Sequence, residues 1–193
     1  MTGLAPLILV VGPSGAGKDT LLEGAARELE PTGNFSFAKR VITRPVTPDG
    51  EQHIEISTDA FNQKEAEGYF LLSWRAHGYC YGILAEPTET LRTRGCAVVA
   101  SVSRTVIDDA KSRHQPVHVI VVTAPKTILA RRLADRGREP EADVLARLER
   151  SDAIDVCGQN VTIIENISDV KSGIRQMISA LGAASSFEWK STD

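Results

Sequence analysis

The start of the chain combines a short apolar run, a glycine-rich loop and a helical pattern. Residues 7–11 are apolar throughout, and Gly12 ends the run. A short apolar run that a turn residue closes is typical of a strand buried on both faces of a sheet. From about Lys18 to Glu30 apolar residues recur at helical spacing, until Pro31 and Gly33 end the pattern. The order of strand, loop and helix limits the fold more than any other feature of the sequence.

The loop between this strand and helix follows the pattern Gly-x-x-x-x-Gly-Lys. Its glycines allow successive backbone N–H groups to turn toward phosphate oxygens, and the helix start adds the positive end of its dipole. Lys18 is expected to reach the β- and γ-phosphates of a nucleotide and to assist phosphoryl transfer. A glycine-rich turn that binds no nucleotide is the alternative. The residues predicted to bind the nucleotide are Gly12, Pro13, Ser14, Gly15, Ala16, Gly17, Lys18, Asp19 and Thr20.

Asp19 departs from this pattern, because the residue after the lysine should be a hydroxyl that ligates Mg²⁺. A carboxylate is still a hard oxygen ligand, so Asp19 is the candidate metal ligand. The alternative is an acid in the first helical turn that the helix dipole favours. Thr20 stands one position too late for the usual metal role and is expected near the α-phosphate.

Further β-branched runs predict the rest of a parallel sheet. They cover residues 96–102, 117–122 and 161–164, and helical patterns follow them, the last from about Ser168 to Leu181. Strands that alternate with helices predict a three-layer α/β fold, in which helices flank a central parallel sheet. Residues 35–82 break the alternation and are predicted to form a small inserted subdomain that binds the acceptor substrate. The tail from about residue 183 to 193 has no pattern and is predicted to be disordered.

Composition excludes several other classes of protein. A length of 193 residues fits a single domain, and 42% hydrophobic residues are ordinary for a globular protein. The net charge of −3 argues against a general nucleic-acid binder, so a local cluster of cations must hold any anionic ligand. No apolar run approaches the roughly 18 residues that span a bilayer. We therefore expect a cytoplasmic protein without nucleic-acid or membrane partners, and a homodimer is compatible with the sequence.

Residues 131–150 contain six arginines and no lysine. Arginine favours planar, bidentate contacts to phosphate over loose charge pairing. A turn at Gly137 suits a hinged flap that closes over bound substrates and excludes water, and we call this segment the lid. Five acids stand among the arginines, so a pair of solvated helices with internal ion pairs is the alternative.

Three separate motifs resemble the guanylate kinase branch of the nucleoside monophosphate kinases, over about residues 7–182. They are the phosphate loop, Thr43-Arg44-Pro45 and Tyr79-Cys80-Tyr81-Gly82. The resemblance implies a P-loop kinase fold, with ATP as the phosphoryl donor. It also implies that Arg44 and Tyr81 bind the phosphate of the acceptor. By the same alignment the catalytic lid arginines are Arg132, Arg136 and Arg147, and Asn166 lies near the adenine.

The residues that read guanine in that family do not carry over. Leu72 stands in place of a glutamate, His53 in place of a tyrosine, and Thr47 in place of a second arginine that binds phosphate. The Asp-x-Asp pattern after the middle strand becomes Ser101-Val-Ser103, followed by Arg104. A site that hydrogen-bonds guanine loses several kcal/mol of discrimination without those acids, so guanosine monophosphate is not the expected acceptor.

These departures resemble the ribose 1,5-bisphosphate phosphokinases, a group associated with phosphonate breakdown. The shared features are Gly-Lys-Asp in the loop, Ile-Thr-Arg, residues 73–78 and the Ser-Arg after the middle strand. The resemblance implies that ATP and Mg²⁺ serve to phosphorylate a small sugar phosphate, ribose 1,5-bisphosphate, to 5-phosphoribosyl 1-diphosphate. The residues predicted to bind this acceptor are Arg44, Arg75, His77, Tyr81, Ser101, Ser103 and Arg104.

Two other functions remain as alternatives at this point. One is a nucleoside monophosphate kinase with a different base preference, and the other is an interaction module that binds partners without catalysis. The complete phosphate loop, apart from Asp19, favours an enzyme. A phosphate acceptor is already ionised at neutral pH, so the predicted chemistry needs alignment and charge stabilisation and no general base.

Overall fold

A computed structural model of the protein describes residues 3–46, 52–135, 156 and 158–186. Helices and strands are numbered in chain order within these residues. They are β1 (Leu7–Val11), α1 (Lys18–Leu29), β2 (Phe35–Phe37), β3 (Val41–Ile42), β4 (Ile54–Glu55), α2 (Thr58–Ala66), β5 (Phe70–Ala76), β6 (Tyr79–Leu84), α3 (Ala85–Thr93), β7 (Ala97–Ser101), α4 (Ile107–Arg113), β8 (Val117–Thr123), α5 (Lys126–Ala134), β9 (Val161–Glu165) and α6 (Val170–Ser185).

The main sheet has five parallel strands in the order β2-β7-β1-β8-β9. Every residue of β1 is fully buried, because alternate side chains enter different layers of core. Leu7, Leu9 and Val11 face the core that the second sheet and α4 cover, and Ile8 and Val10 face α1 and α6. The predicted strands and the three-layer fold class are confirmed.

A second sheet of four strands, in the order β4-β3-β6-β5, forms the predicted insert. The pairs β3–β6 and β5–β6 are antiparallel, and β3–β4 is parallel. One face of this sheet carries Leu72, Trp74 and Tyr81, which join the core beside the main sheet. The other face packs Val41 and Cys80 against α2. The insert thus presents one face to the carboxyl ends of the main strands.

Two predicted boundaries are wrong. β2 is a parallel edge strand of the main sheet, paired with β7 and buried there through Phe35, so the insert begins after residue 37 and ends with β6 at Leu84. The final helix continues past Gly182 to Ser185, because Ala184 is buried against the core at 1% exposure. Residues 187–193 lie outside the described residues. None of the helices in the described ranges is long and apolar enough to cross a membrane.

Candidate active site

The phosphate loop turns sharply between β1 and α1 at three glycines with positive φ, Gly12, Gly15 and Gly17. Gly12 has φ 153°, and a Cβ there would overlap the carbonyl oxygen of Val122 in β8. Gly17 has φ 88° and precedes the first residue of α1, and a Cβ there would lie 2.6 Å from Nδ2 of Asn166. Only glycine fits either position without displacing its neighbour. The loop therefore stays narrow and exposes backbone rather than side chains.

Lys18 folds back over this loop. Its Nζ donates hydrogen bonds to the carbonyl oxygens of Gly12, at 2.8 Å, and Pro13, at 3.1 Å. The ammonium is thus held at the mouth of the loop, where the phosphates of a nucleotide approach the backbone N–H groups. The role of Lys18 in phosphoryl transfer stays a prediction.

Asn166 links the end of the main sheet to the phosphate loop. Its side chain is 6% exposed, and Nδ2 donates to the carbonyl oxygen of Ala16 at 2.8 Å. Its own N–H donates to the carbonyl oxygen of Thr123 in β8 at 2.8 Å. Sequence analysis placed Asn166 only near adenine, whereas the structure adds a positioning role for the loop itself.

Arg132 lies on the other side of Asn166. Its Nη2 donates to the carbonyl oxygen of Asn166 at 3.0 Å, while its Nη1 is buried without a partner among the described residues. A buried guanidinium nitrogen with no partner is costly unless a ligand or a water satisfies it. Arg136 and Arg147, the other predicted catalytic arginines, lie outside the described residues.

A cleft of about 220 Å³ opens beside the phosphate loop and Arg132. Backbone of the loop forms one wall, and apolar Leu21 and Val170 contribute flat surfaces. Such a volume suits the nucleoside part of a nucleotide whose phosphates run along the loop. The lining residues are Gly15, Gly17, Thr20, Leu21, Arg132, Asp135, Asn166, Ser168 and Val170.

Arg44 follows β3 in a loop that is fixed to its neighbours. The N–H of Thr43 donates to the carbonyl oxygen of Cys80 at 3.1 Å, and the N–H of Cys80 donates to Oγ1 of Thr43 at 2.9 Å. The carbonyl oxygen of Arg44 lies 2.8 Å from Nε2 of His53. Ile42 pairs with Tyr81 across β3 and β6, so the structure brings the two predicted phosphate ligands to one end of the same strand pair.

Tyr81 is held rigidly. The residue is 6% exposed, and its ring stacks on Trp74 with centroids 5.4 Å apart and planes 6° from parallel. Stacking of this kind adds to the stability that burial gives. Tyr81 is therefore fixed in place on the face of the second sheet that is predicted to bind the acceptor, and we call this face the acceptor side.

The carboxyl end of β7 carries three further candidates, Ser101, Ser103 and Arg104. Ser101 is 8% exposed, and its Oγ has no hydrogen-bond partner among the described residues. Oγ of Ser103 accepts from the N–H of Thr105 at 3.3 Å, and so caps the short 3₁₀ turn at Arg104–Val106. That turn packs against β5, which brings exposed Arg104 to the junction of the two sheets. Acceptor contacts from these residues stay predictions.

Arg75 is not on the acceptor side, which corrects the prediction. Its Nη2 lies 2.6 Å from Oε2 of Glu65 and 3.3 Å from Oδ1 of Asn62, both on α2. This ion pair holds the pKa of the Glu65 carboxyl below its usual value. Side chains alternate along a strand, so Arg75 and its neighbour Trp74 face opposite sides of the second sheet. Trp74 faces the acceptor side with Tyr81, and Arg75 faces α2.

His77 occupies the tip of the β5–β6 hairpin. His77 and Gly78 have φ values of 52° and 79°, the conformation that two-residue hairpin loops require. The exposed position of His77 is explained by this turn. Its predicted acceptor contact has no support from the described geometry.

Arg40, which the sequence motifs do not single out, lies beside predicted residues of both substrate sites. Its side chain is 15% exposed, and its Nη2 lies 3.6 Å from Oδ1 of Asp19. Its Cζ lies 6.0 Å from the centroid of the Tyr81 ring. The only signal in the sequence is an arginine four positions before Arg44, within a stretch that otherwise resembles a strand.

The parallel sheet, the glycine loop and the lysine held over it define a P-loop kinase fold. The AAA domain family matches residues 8–155 of the chain. The crystal structure of guanylate kinase from Anaplasma phagocytophilum superimposes with a TM-score of 0.67 and 16% sequence identity, covering 96% of this chain and 89% of that chain. At this identity the likeness concerns the fold alone.

Curated relatives share considerably more of this sequence than that guanylate kinase does. Ribose 1,5-bisphosphate phosphokinase PhnN from Chelativorans sp. is 39% identical over 93% of this chain and 86% of its own length. The bifunctional ribose 1,5-bisphosphokinase-thymidine phosphorylase of Azorhizobium caulinodans is 42% identical over 94% of this chain, which spans only 26% of that longer protein. The chain belongs to the ribose 1,5-bisphosphate phosphokinase family, as the motifs predicted.

Proposed function

We propose that the protein transfers the γ-phosphoryl group of ATP to the 1-phosphate of ribose 1,5-bisphosphate. An oxygen of the acceptor phosphate bonds to the γ-phosphorus, and the bond from that phosphorus to the β–γ bridging oxygen breaks. The products are 5-phosphoribosyl 1-diphosphate and ADP, in phosphonate breakdown or in the supply of this diphosphate. The cytoplasm is the expected compartment of this reaction.

The observation that carries this proposal is the chemistry of the acceptor side. Leu72, which stands where guanylate kinases place a purine-reading glutamate, is 1% exposed within the core. Arg44, Tyr81 and Arg40 lie on the same side of the second sheet and supply cations and a phenol. Such groups recognise phosphate, and none of them replaces the carboxylate that accepts hydrogen bonds from the edge of guanine. The names of the curated relatives point the same way.

The donor side supplies alignment and charge. Backbone N–H groups of the loop and the start of α1 cradle the phosphates of ATP. Lys18 exchanges its two loop carbonyls for the β- and γ-phosphates, and Arg132 directs its buried Nη1 toward the nucleotide. Arg136 and Arg147, which lie outside the described residues, stay the predicted catalytic arginines. Fixed cations of this kind stabilise the charge that builds up in the transition state.

The residues present fit Mg²⁺. Asp19 offers a carboxylate, 54% exposed, in the first turn of α1. Within the described residues no group of three or more His, Cys, Asp or Glu side chains is arranged for a metal. Mg²⁺ commonly uses one or two carboxylates together with phosphate oxygens and water, so a single Asp19 is sufficient. When bound beside Asp19, the ion would offset the negative charge of the nucleotide phosphates during transfer.

An acceptor screen tests the proposed function. Purified protein with Mg²⁺ and ATP is offered ribose 1,5-bisphosphate, guanosine monophosphate and other nucleoside monophosphates, while ADP release and ³¹P spectra are recorded. We expect a new diphosphate signal with the sugar bisphosphate alone. Turnover of guanosine monophosphate without turnover of the sugar bisphosphate would overturn the proposal.

A Lys18→Ala variant separates catalysis from a pure binding role. We expect turnover to fall by about a hundredfold or more, because a charge that stabilises the transition state is lost. The melting temperature should change far less than turnover, since the hydrogen bonds of the Lys18 Nζ to Gly12 and Pro13 lie within the loop. Unchanged turnover would contradict the proposal that Lys18 and the phosphate loop take part in catalysis.

A further inference from the structure

We propose that Arg40 binds the acceptor phosphate from the donor side and exchanges its partner Asp19 for that phosphate when both substrates are present. This inference rests on the proposed function, and it adds a residue and a coupling between the two substrate sites. Neither the motifs nor the relatives' names assign a role to Arg40.

Arg40 lies where the two sheets of the protein meet. It stands between β2, an edge strand of the main sheet, and β3, a strand of the second sheet. Its carbonyl oxygen accepts a 2.9 Å hydrogen bond from the N–H of Ile54, the first residue of β4. The backbone is therefore fixed on both sides. The side chain is 15% exposed and is directed to the junction of the donor and acceptor sides.

The guanidinium faces one feature of each substrate site. Its Nη2 lies 3.6 Å from the carboxylate of Asp19, in the turn after the phosphate loop. Its Cζ lies 6.0 Å from the ring centroid of Tyr81, the predicted ligand of the acceptor phosphate. A phosphate that Tyr81 binds is within reach of the five N–H donors of a guanidinium in this position.

The reaction requires a cation at this place. The acceptor phosphate and the γ-phosphate are both anions, and they must approach each other before the new bond forms. A guanidinium between them reduces their repulsion and holds the attacking oxygen in line. Arg75 cannot serve, because its guanidinium is paired with Glu65 on the far face of the second sheet. Arg40 lies on the correct face.

The ion pair between Arg40 and Asp19 is weak. A separation of 3.6 Å is longer than a charge-assisted hydrogen bond, and the Asp19 side chain is 54% exposed, so this ion pair contributes little. Asp19 is also the candidate ligand of Mg²⁺. When Mg²⁺ and ATP engage the carboxylate, its charge is compensated and Arg40 can turn to the acceptor phosphate. Donor binding thereby raises affinity for the acceptor, and the coupling is reciprocal.

Titration calorimetry with ribose 1,5-bisphosphate tests this, with and without Mg²⁺ and a β,γ-imido analogue of ATP. For the unmodified protein we expect acceptor affinity to rise several-fold when the analogue is bound, within the usual range of such couplings. Arg40→Gln should weaken acceptor binding by about tenfold or more and abolish the rise, because a bidentate cation is lost. Its affinity for the analogue should stay unchanged.

Three further variants make the experiment decisive. Arg75→Gln, which removes the same group on the α2 face, should leave acceptor affinity and coupling intact. Asp19→Asn should raise acceptor affinity in the absence of the analogue and remove the coupling, since the competing anion is gone. Arg40→Lys keeps the charge and should bind the acceptor with intermediate affinity, which also guards against a folding defect in Arg40→Gln.

Acceptor binding by Arg40→Gln equal to that of the unmodified protein would overturn this inference and leave the proposed function intact. Full coupling in Asp19→Asn would overturn the exchange of partners. Failure of the proposed function has a different signature, because the unmodified protein would then neither bind nor phosphorylate ribose 1,5-bisphosphate in the acceptor screen.

Discussion

The side-chain amide of Asn166 donates a 2.8 Å hydrogen bond to the carbonyl oxygen of Ala16, which joins the end of the last strand of the main sheet to the phosphate loop. The two residues are 150 positions apart in the chain. The same asparagine accepts from Arg132 through its backbone carbonyl. The loop, the sheet edge and the first residues of the lid are therefore one connected unit around the nucleotide cleft.

Replacement of Asn166 by alanine should loosen the loop. A buried carbonyl of Ala16 then lacks its donor, and we expect ATP affinity to fall by roughly tenfold and stability by about 1–2 kcal/mol. Calorimetric titration with ATP and thermal melting measure the two effects. Asn62→Ala on α2 is the matched control and should leave ATP affinity unchanged. Equal ATP affinity in Asn166→Ala would show that the loop does not depend on this bond.

Asp19→Ala should raise the Mg²⁺ concentration needed for half-maximal turnover by about tenfold, because a hard oxygen ligand is lost. Asp19→Ser, which restores the hydroxyl usual at this place, should recover part of the loss. A Mg²⁺ titration of initial rates measures both. Asp59→Ala removes another acid from the first turn of a helix, α2, and is the control. If Asp19→Ala lowers only the melting temperature, as Asp59→Ala should, Asp19 is a dipole-stabilising acid and no ligand.

Local patterns predicted most of the main sheet and the phosphate loop, because each depends on residues close together in the chain. β1 and α1 follow from apolar spacing and from glycines whose positions leave no room for a Cβ. The position of β2 did not follow, since three residues carry too little pattern to choose between two sheets. Pairing with β7, 62 residues later in the chain, decides its place.

Acceptor residues were predicted less well, for a related reason. A strand pattern shows that Trp74 and Arg75 face opposite sides, but it does not show which side meets the substrate. The packing of α2 against one face decides this, and it removes Arg75 from the acceptor side. Arg40 and the contact from Asn166 to Ala16 depend on tertiary proximity and leave no local signal.

Arg92 should matter for stability and hardly at all for catalysis. Its side chain is fully buried, and it donates to the carbonyl oxygens of Ala5, at 2.9 Å, and His114, at 2.7 Å. Burial lowers the pKa of this guanidinium, yet its donors are satisfied by the N-terminal segment and the loop before β8. Arg92→Leu leaves these carbonyl oxygens without a donor, and we expect a loss of about 2–4 kcal/mol in the free energy of unfolding.

Urea unfolding measures this loss, with Arg113→Leu as the matched control. Arg113 is 57% exposed and pairs with Asp109 one helical turn away, so its replacement should change stability by less than about 0.5 kcal/mol. KM values of the folded Arg92→Leu protein should equal those of the unmodified protein. A similar loss of unfolding free energy in both variants would contradict the stabilising role of the Arg92 hydrogen bonds.

Stability should fall on mild acidification because of His118. This residue of β8 is 8% exposed, and its Nε2 lies 2.9 Å from Oγ1 of Thr162 in β9. Desolvation lowers the pKa of the ring, and Nδ1 is buried without a partner among the described residues, so a proton there would have no acceptor. The folded state thus keeps His118 neutral, whereas the unfolded chain binds a proton at its ordinary pKa of about 6.5.

The unfolded state therefore binds more protons just below pH 6.5, and the free energy of unfolding decreases as the pH falls. The stabilisation is complete above about pH 6.5 and is lost between that value and the lower pKa of the folded state, with a slope of at most about 1.4 kcal/mol per pH unit for one histidine. His118→Gln should flatten this part of the curve in urea unfolding between pH 5 and 8. His114, whose pKa is lowered first by desolvation and then by Arg113, should keep a residual slope in that variant. If the free energy of unfolding decreases equally on acidification in the unmodified protein and in His118→Gln, the burial of His118 does not set the pH dependence of stability.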